Sequence, residues 1–141
     1  MRKHCNLACS FIVHAEEFCS AANYLTNKKP FLYHPTFYCA LHSIELGLKA
    51  HLALSGFSKR RLASRALGHD LGALVSEAYI ANAIPFLDPH ARKAICFGAE
   101  DYSKKCFEYP EFMVSTLPVN RWLQIAEKLI ERGRALIQTI E

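Results

Sequence analysis

Apolar residues recur at intervals of three and four along most of the chain, and this spacing predicts α-helices. The clearest stretch covers about residues 36–55, and its main apolar stripe consists of Phe37, Leu41, Ile44, Leu48 and Leu52. Small or apolar residues also occupy most of the remaining surface of this helix, so it should lie at the centre of the fold. Strand-like alternation is not sustained anywhere. The fold class is therefore predicted to be all-α.

The first two predicted helices are separated by a connection that contains proline. Helix one should cover about residues 7–26. Proline cannot continue a helix and restricts the residue before it, so Pro30 and Pro35 should end that segment. Helix two should then run from about Thr36 to Ser55 and stop at Gly56, because glycine adopts the left-handed conformation readily.

Three more helices are predicted from their capping residues. Asp70 should cap helix three, which ends before Pro85. Asp88, followed by a proline at the first helical position, should start helix four, which continues through Cys106. Pro118 opens the last helix. The sequence thus predicts one domain over residues 1–141, an antiparallel up-and-down bundle of four to five helices.

Composition favours a folded cytoplasmic protein. The chain is 51% hydrophobic and 21% charged, and it has no run of roughly 18 uncharged apolar residues, so no membrane association is expected. A basic start followed by Leu7–Val13 is similar to a short signal peptide. However, Glu16 and Glu17 follow at once while the helical spacing continues, which argues against secretion.

The six cysteines do not form a metal-binding or disulfide pattern. There is no Cys-x-x-Cys pair, and most of the cysteines occupy apolar helical positions, as small buried thiols do. His4, Cys5 and Cys9 near the amino terminus are an isolated trio. We therefore expect no metal site and no cofactor.

A narrow polar strip on helix two is the sharpest feature of the sequence. Tyr38, His42, Glu45 and Lys49 fall on one side of the helix at about 100° per residue. In one interpretation Glu45 and Lys49 form a surface ion pair worth about 0.3 kcal/mol. In the other, the strip belongs to a ligand-binding cleft formed by His42, Glu45, Lys49, His69, Asp70, Lys105, Glu108 and Tyr109.

A basic segment between helices two and three is a second candidate site. Its cationic residues are Lys59, Arg60, Arg61 and Arg65. Such a cluster can bind phosphate, and it can equally be a solvated loop. The modest net charge of +4 is partly concentrated here.

Two segments of the sequence resemble the core signature of HEPN domains. The first is Glu45–Leu52 (ELGLKAHL), and the second is Gly68–Leu71 (GHDL). A third segment, Tyr102–Pro110 (YSKKCFEYP), is similar to the Phe-Glu-Tyr stretch of a bacterial group of uncharacterised HEPN-like proteins. The likeness extends over roughly residues 10–135.

The resemblance implies a four- or five-helix bundle that frequently forms homodimers. It also implies roles in RNA cleavage, in toxin–antitoxin systems or in association with a nucleotidyltransferase. Cleaving members have an arginine and a histidine separated by roughly four to six residues, so that a dimer brings two such pairs to one phosphate. Here only three residues separate Arg65 from His69. No other histidine follows an arginine at the family's interval of four to six residues.

Three functional hypotheses follow. The first is a non-catalytic HEPN-like domain that binds a nucleotide, RNA or a protein partner as a homodimer. The second is a divergent metal-independent ribonuclease or toxin, against which the missing arginine–histidine spacing argues. The third is a purely structural dimeric interaction module. A dimer is expected because two apolar stripes should exceed what a small bundle covers: Trp122, Leu129, Leu136 and Ile140 on one side, and Phe11, Phe18 and Leu25 on the other.

Overall fold

The computed structural model describes residues 2–105 and 118–140, and all regular secondary structure in these ranges is helical. The helices are α1 (Arg2–Thr26), α2 (Tyr33–Leu54), α3 (Lys59–Leu62), α4 (Leu71–Ile80), α5 (Pro89–Ser103) and α6 (Val119–Ile140). The predicted all-α bundle is confirmed. None of the described helices combines the length and the apolar character that crossing a membrane requires.

Helix α2 is the centre of the bundle, as its sequence predicts. It packs against each of the other described helices, while α1 and α6 contact each other and α4 contacts α5. The stripe residues Leu41, Ile44, Leu48 and Leu52 are wholly buried. A charged side chain on such a helix must therefore be accommodated inside the protein or at a seam between helices.

Three predicted helix boundaries are confirmed by their local geometry. The carboxylate of Asp70 accepts a hydrogen bond from the backbone N–H of Ala73, and that of Asp88 accepts one from Ala91. Both aspartates thus satisfy a backbone donor of the first turn. At the end of α2, Gly56 has a φ of +95°, the left-handed conformation expected after a helix C-terminus.

Other boundaries differ from the prediction. Helix α1 begins at Arg2 rather than near residue 7, and α2 begins at Tyr33, with Pro35 inside its first turn. Proline is tolerated there because its missing N–H would have no helical partner anyway. Helix α5 ends at Ser103, earlier than predicted, and the predicted continuation through residue 106 leaves the described ranges.

The basic segment, predicted to be a loop, contains a single helical turn. Helix α3 covers Lys59–Leu62, and the side chain of Ser58 caps it by accepting a hydrogen bond from the N–H of Arg61. Leu62 is buried and anchors this turn to the core.

The apolar stripe of α6 lies mostly inside the bundle. Trp122 and Leu129 are wholly buried, and the Trp122 indole N–H donates to the carbonyl of Ala94. The prediction that these two residues form part of a dimer face is therefore corrected, because neither side chain reaches the surface. Leu136 and Ile140, at 43% and 39% exposure, are what remains of that stripe at the surface.

Candidate functional site

The polar strip of α2 meets α5 and the turn before α4 at a buried carboxylate. Glu45 is wholly buried and Lys49 is 8% exposed. The ammonium of Lys49 donates to Oε1 of Glu45 at 2.6 Å. The interpretation of this pair as a helix-surface ion pair is therefore wrong, since both groups are removed from bulk water.

Three further side chains contact the same carboxylate. The hydroxyl of Tyr102 donates to Oε2 of Glu45. The Nδ1 of His69 lies 3.0 Å from Oε1, and the Nδ1 of His42 lies 3.4 Å from Oε2. We call His42, Glu45, Lys49, His69 and Tyr102 the Glu45 cluster. It joins α2, α5 and the turn that precedes α4.

The hydrogen-bond pattern assigns protons to both imidazoles. A carboxylate only accepts, so the Nδ1 of His69 must carry a hydrogen to bond with Glu45. Tyr102 gives its own hydrogen to Glu45, so its oxygen accepts from the Nδ1 of His42, 2.6 Å away. In the neutral form of either ring, Nε2 would then be the unprotonated nitrogen.

The cluster keeps Glu45 ionised. Burial by itself would raise the pKa of Glu45, but the nearby His42 ring, the hydrogen bonds from Lys49 and Tyr102, and the charge of Lys49 outweigh burial and lower this pKa to about 2. At neutral pH Glu45 is therefore an anion that is neutralised by Lys49 and orients the two histidines.

A small cavity opens beside the cluster. It has a volume of about 60 Å³ and is lined by Tyr38, His69, Tyr102, Ser103 and Lys105. The His69 side chain is 73% exposed, in contrast to the buried carboxylate that holds it. This opening is where the cluster can be reached from solvent.

The predicted candidate residues are only partly brought together. His42, Glu45, Lys49 and His69 share one network, and Lys105 lines the adjoining cavity. Asp70 does not share it, because its carboxylate caps α4. The remaining two members of the predicted cleft, Glu108 and Tyr109, lie outside the described residues.

Tyr102 is the member of the cluster that is absent from the residues predicted for the cleft. The ring is 6% exposed and its hydroxyl contacts Glu45. A buried tyrosine hydroxyl needs a hydrogen-bond partner, and this requirement is the signal that could have linked Tyr102 to the one buried carboxylate of α2.

The basic segment does not join the cluster in the described parts of the chain. Arg61 donates to Glu77 of α4 at 3.1 Å, and its guanidinium stacks 3.7 Å from the Phe57 ring. Lys59, Arg60 and Arg65 are exposed on α3 and the following turn. This arrangement fits a solvated surface whose arginine at position 61 is already paired.

Metal-binding groups are not assembled in the described ranges: no set of three or more histidine, cysteine or acidic side chains there has a suitable arrangement. No protein-family model matches this chain, and neither a curated protein nor a solved structure is significantly similar to it.

Proposed function

We propose that this chain is a non-catalytic HEPN-like domain that binds the phosphate of a nucleotide or of RNA at the mouth of the Glu45 cluster. The proposal rests on one observation, the way in which His69 is held at the surface. Its Nδ1 is held 3.0 Å from a buried carboxylate while 73% of its side chain is exposed. An imidazole oriented in this way presents Nε2 to a ligand in a fixed direction.

A phosphate suits this opening for reasons of charge and size. When protonated, the imidazole of His69 donates from Nε2 to an anion while Nδ1 remains bonded to Glu45, so the charge of the ring is shared between the two contacts. The 60 Å³ cavity has room for a small group rather than for a base. Lys105 and Ser103 also line it.

The surroundings supply a surface for the rest of a nucleotide. Tyr38 is half-buried, and its ring stacks on that of His42 with 10° between the planes and on that of Tyr102 with 27°. The rings pack on one another, so an approaching base or sugar would meet a wall that is already ordered.

The arrangement also supports the HEPN-like assignment within this proposal. Two separate signature segments, Glu45–Leu52 and Gly68–Leu71, meet through the contact between Glu45 and His69. Such a contact is expected if both segments contribute to one binding site. We extend the proposal to a homodimer that acts with a nucleotidyltransferase or within a toxin–antitoxin pair.

A metal-independent ribonuclease is the second candidate, and one observation favours it. Glu45 and His69 form a carboxylate–imidazole pair of the kind that orients a general base. Cleavage also needs a cation that stabilises the developing phosphorane charge. The Arg61 guanidinium is bound to Glu77 instead, and the family's arginine–histidine spacing is missing.

Isothermal titration with inorganic phosphate and with the four ribonucleoside monophosphates tests the proposal. We expect at least one nucleotide to bind with a Kd below about 1 mM. His69→Ala should weaken binding about tenfold or more, while His14→Ala, which removes an exposed histidine of α1, should leave it unchanged. Equal binding by the two variants would refute the site, as would the absence of binding by every ligand of the panel.

A further inference from the structure

A second surface with the properties of a binding site lies on α4, α5 and the start of α6. Two grooves of about 610 and 410 Å³ meet there, and Lys93 and Phe97 line both of them. We call Tyr79, Arg92, Lys93, Phe97 and Arg121 the Phe97 surface. None of these residues belongs to the Glu45 cluster, so this surface needs its own explanation.

The charged side chains that line the two grooves are cationic. Arg92 and Lys93 line the larger groove, and Lys93 and Arg121 line the smaller one beside His90. Within residues 2–105 and 118–140, Arg92, Lys93 and Arg121 form no ion pair with an acidic side chain. No salt bridge within the described residues therefore cancels their positive charge.

The acidic residue Asp88 lies near this surface and caps α5. Asp88 is close enough to Arg121 to interact with its charge. Its carboxylate, however, accepts a 2.7 Å hydrogen bond from the backbone of Ala91 and caps α5. Asp88 remains an anion, so it offsets the charge of Arg92, Lys93 and Arg121 only in part.

Aromatic rings are exposed among these cations. Phe97 is 50% exposed and Tyr79 is 58% exposed. The guanidinium of Arg92 stacks 3.6 Å from the centre of the Tyr79 ring. Its buried Nε has no acceptor in the described part of the chain. The stacking thus holds the Arg92 cation against one face of the exposed Tyr79 ring.

A third groove has the reverse charge. A groove of about 630 Å³ between α1 and α6 is lined by Glu16, Glu127, Glu131 and Arg134, and this arginine is bound to Glu16. A polyanion would be repelled from that groove and attracted to the Phe97 surface. The charges thus distinguish the Phe97 surface from the groove between α1 and α6.

We propose that the Phe97 surface binds a single-stranded nucleic acid, with phosphates along Arg92, Lys93 and Arg121 and a base stacked on Phe97. Cations that follow a groove and exposed rings that accept a base are the two elements that sequence-independent single-strand binding requires. A duplex keeps its bases stacked internally and cannot use the Phe97 ring in this way. The inference does not depend on the His69 site.

Fluorescence anisotropy with a labelled single-stranded oligouridylate of about 12 nucleotides tests this inference. Lys93→Gln should weaken binding and reduce the slope of log Kd against log salt concentration by about 0.7, the value for one lost phosphate contact on a single strand. Lys128→Gln removes an exposed lysine of α6 and should change neither quantity.

The aromatic contribution is tested by a second matched pair. Phe97→Ala should weaken binding about fivefold or more, whereas Tyr24→Ala, which removes a ring of α1 that is 64% exposed, should have no effect. His69→Ala should bind the strand normally, so failure of the phosphate site and failure of this surface can be told apart. A duplex of the same length should bind more weakly than the single strand.

Three results would overturn the proposal. The first is equal loss of binding in Lys93→Gln and Lys128→Gln, which would indicate attraction to net charge alone. The second is unchanged binding by Phe97→Ala. The third is a dimer that Phe97→Ala dissociates in light scattering while the oligonucleotide does not bind, which would make this surface a protein interface.

Discussion

The Nδ1 of His69 lies 3.0 Å from Oε1 of Glu45, although the carboxylate is wholly buried and 73% of the imidazole is exposed. This contact connects the centre of the bundle to its surface. It joins α2 to the turn before α4, and Tyr102 adds α5 to the same carboxylate. Changes at Glu45 should therefore affect both stability and the exposed histidine.

Glu45→Gln should lower the free energy of unfolding by about 3 kcal/mol, because it leaves the Lys49 ammonium without a charged partner in a site that is largely shielded from water. Urea unfolding of the wild-type protein and of the variant measures this loss of free energy. Glu16→Gln is the control: its pair with Arg134 has side chains 37% and 39% exposed, so the loss should be about 0.5 kcal/mol. Similar losses in both variants would contradict the buried pair.

The contribution of Glu45 should disappear in acid. Burial opposes ionisation, but the nearby His42 ring and the hydrogen bonds from Lys49 and Tyr102 lower the pKa of Glu45 to about 2 in the folded protein. In the unfolded chain it is about 4.3. The unfolded state therefore binds the proton first as the pH falls, and stability is lost between about pH 5 and pH 2.

Urea unfolding at several pH values checks this window. The difference in stability between the wild-type protein and Glu45→Gln should be constant above about pH 5 and should shrink as the pH approaches 2. A difference that does not change with pH across this range would show that Glu45 is not the titrating group.

The crossing of α1 and α6 depends on Gly133. A Cβ at this position would lie 2.5 Å from Cδ1 of the wholly buried Ile12. Gly133→Ala should therefore destabilise the protein by about 2 kcal/mol, although alanine favours a helix by about 1 kcal/mol over glycine. Ile12→Val removes the clashing methyl, so the double variant should be more stable than the sum of the two single changes predicts. A Gly133→Ala protein of raised stability would contradict the packing.

The purified protein should not cleave single-stranded or transfer RNA above background. Its carboxylate–imidazole pair has no arginine at the family's spacing, and Arg61 is bound to Glu77. Gel analysis of end-labelled RNA measures cleavage. Reproducible cleavage that His69→Ala abolishes would establish the ribonuclease hypothesis in place of the binding one.

The sequence predicts those parts of the fold that depend on local chemistry. The caps at Asp70 and Asp88 and the stop at Gly56 follow from the conformations and hydrogen bonds that these residue types prefer. The single turn of α3 is missed because four residues carry no periodicity. The early start of α1 is missed because no capping residue marks it.

The site is less predictable because it depends on tertiary contacts. The α2 strip places Glu45 beside His42 and Lys49 by periodicity alone. However, whether that strip faces solvent or α5 cannot be read from its spacing. Tyr102 is 57 residues from Glu45 along the chain, and only the packing of α5 on α2 brings its hydroxyl to the carboxylate.

The central claim is that His69 presents Nε2 to a phosphate while Glu45 holds Nδ1. The most direct test is a long-range ¹H–¹⁵N spectrum of the histidine side chains during titration with inorganic phosphate and the ribonucleoside monophosphates. We predict a saturable change in the Nε2 shift of His69 with at least one ligand, a smaller change at its Nδ1, and none at His14. If no ligand shifts the His69 resonances up to about 10 mM, the claim is contradicted.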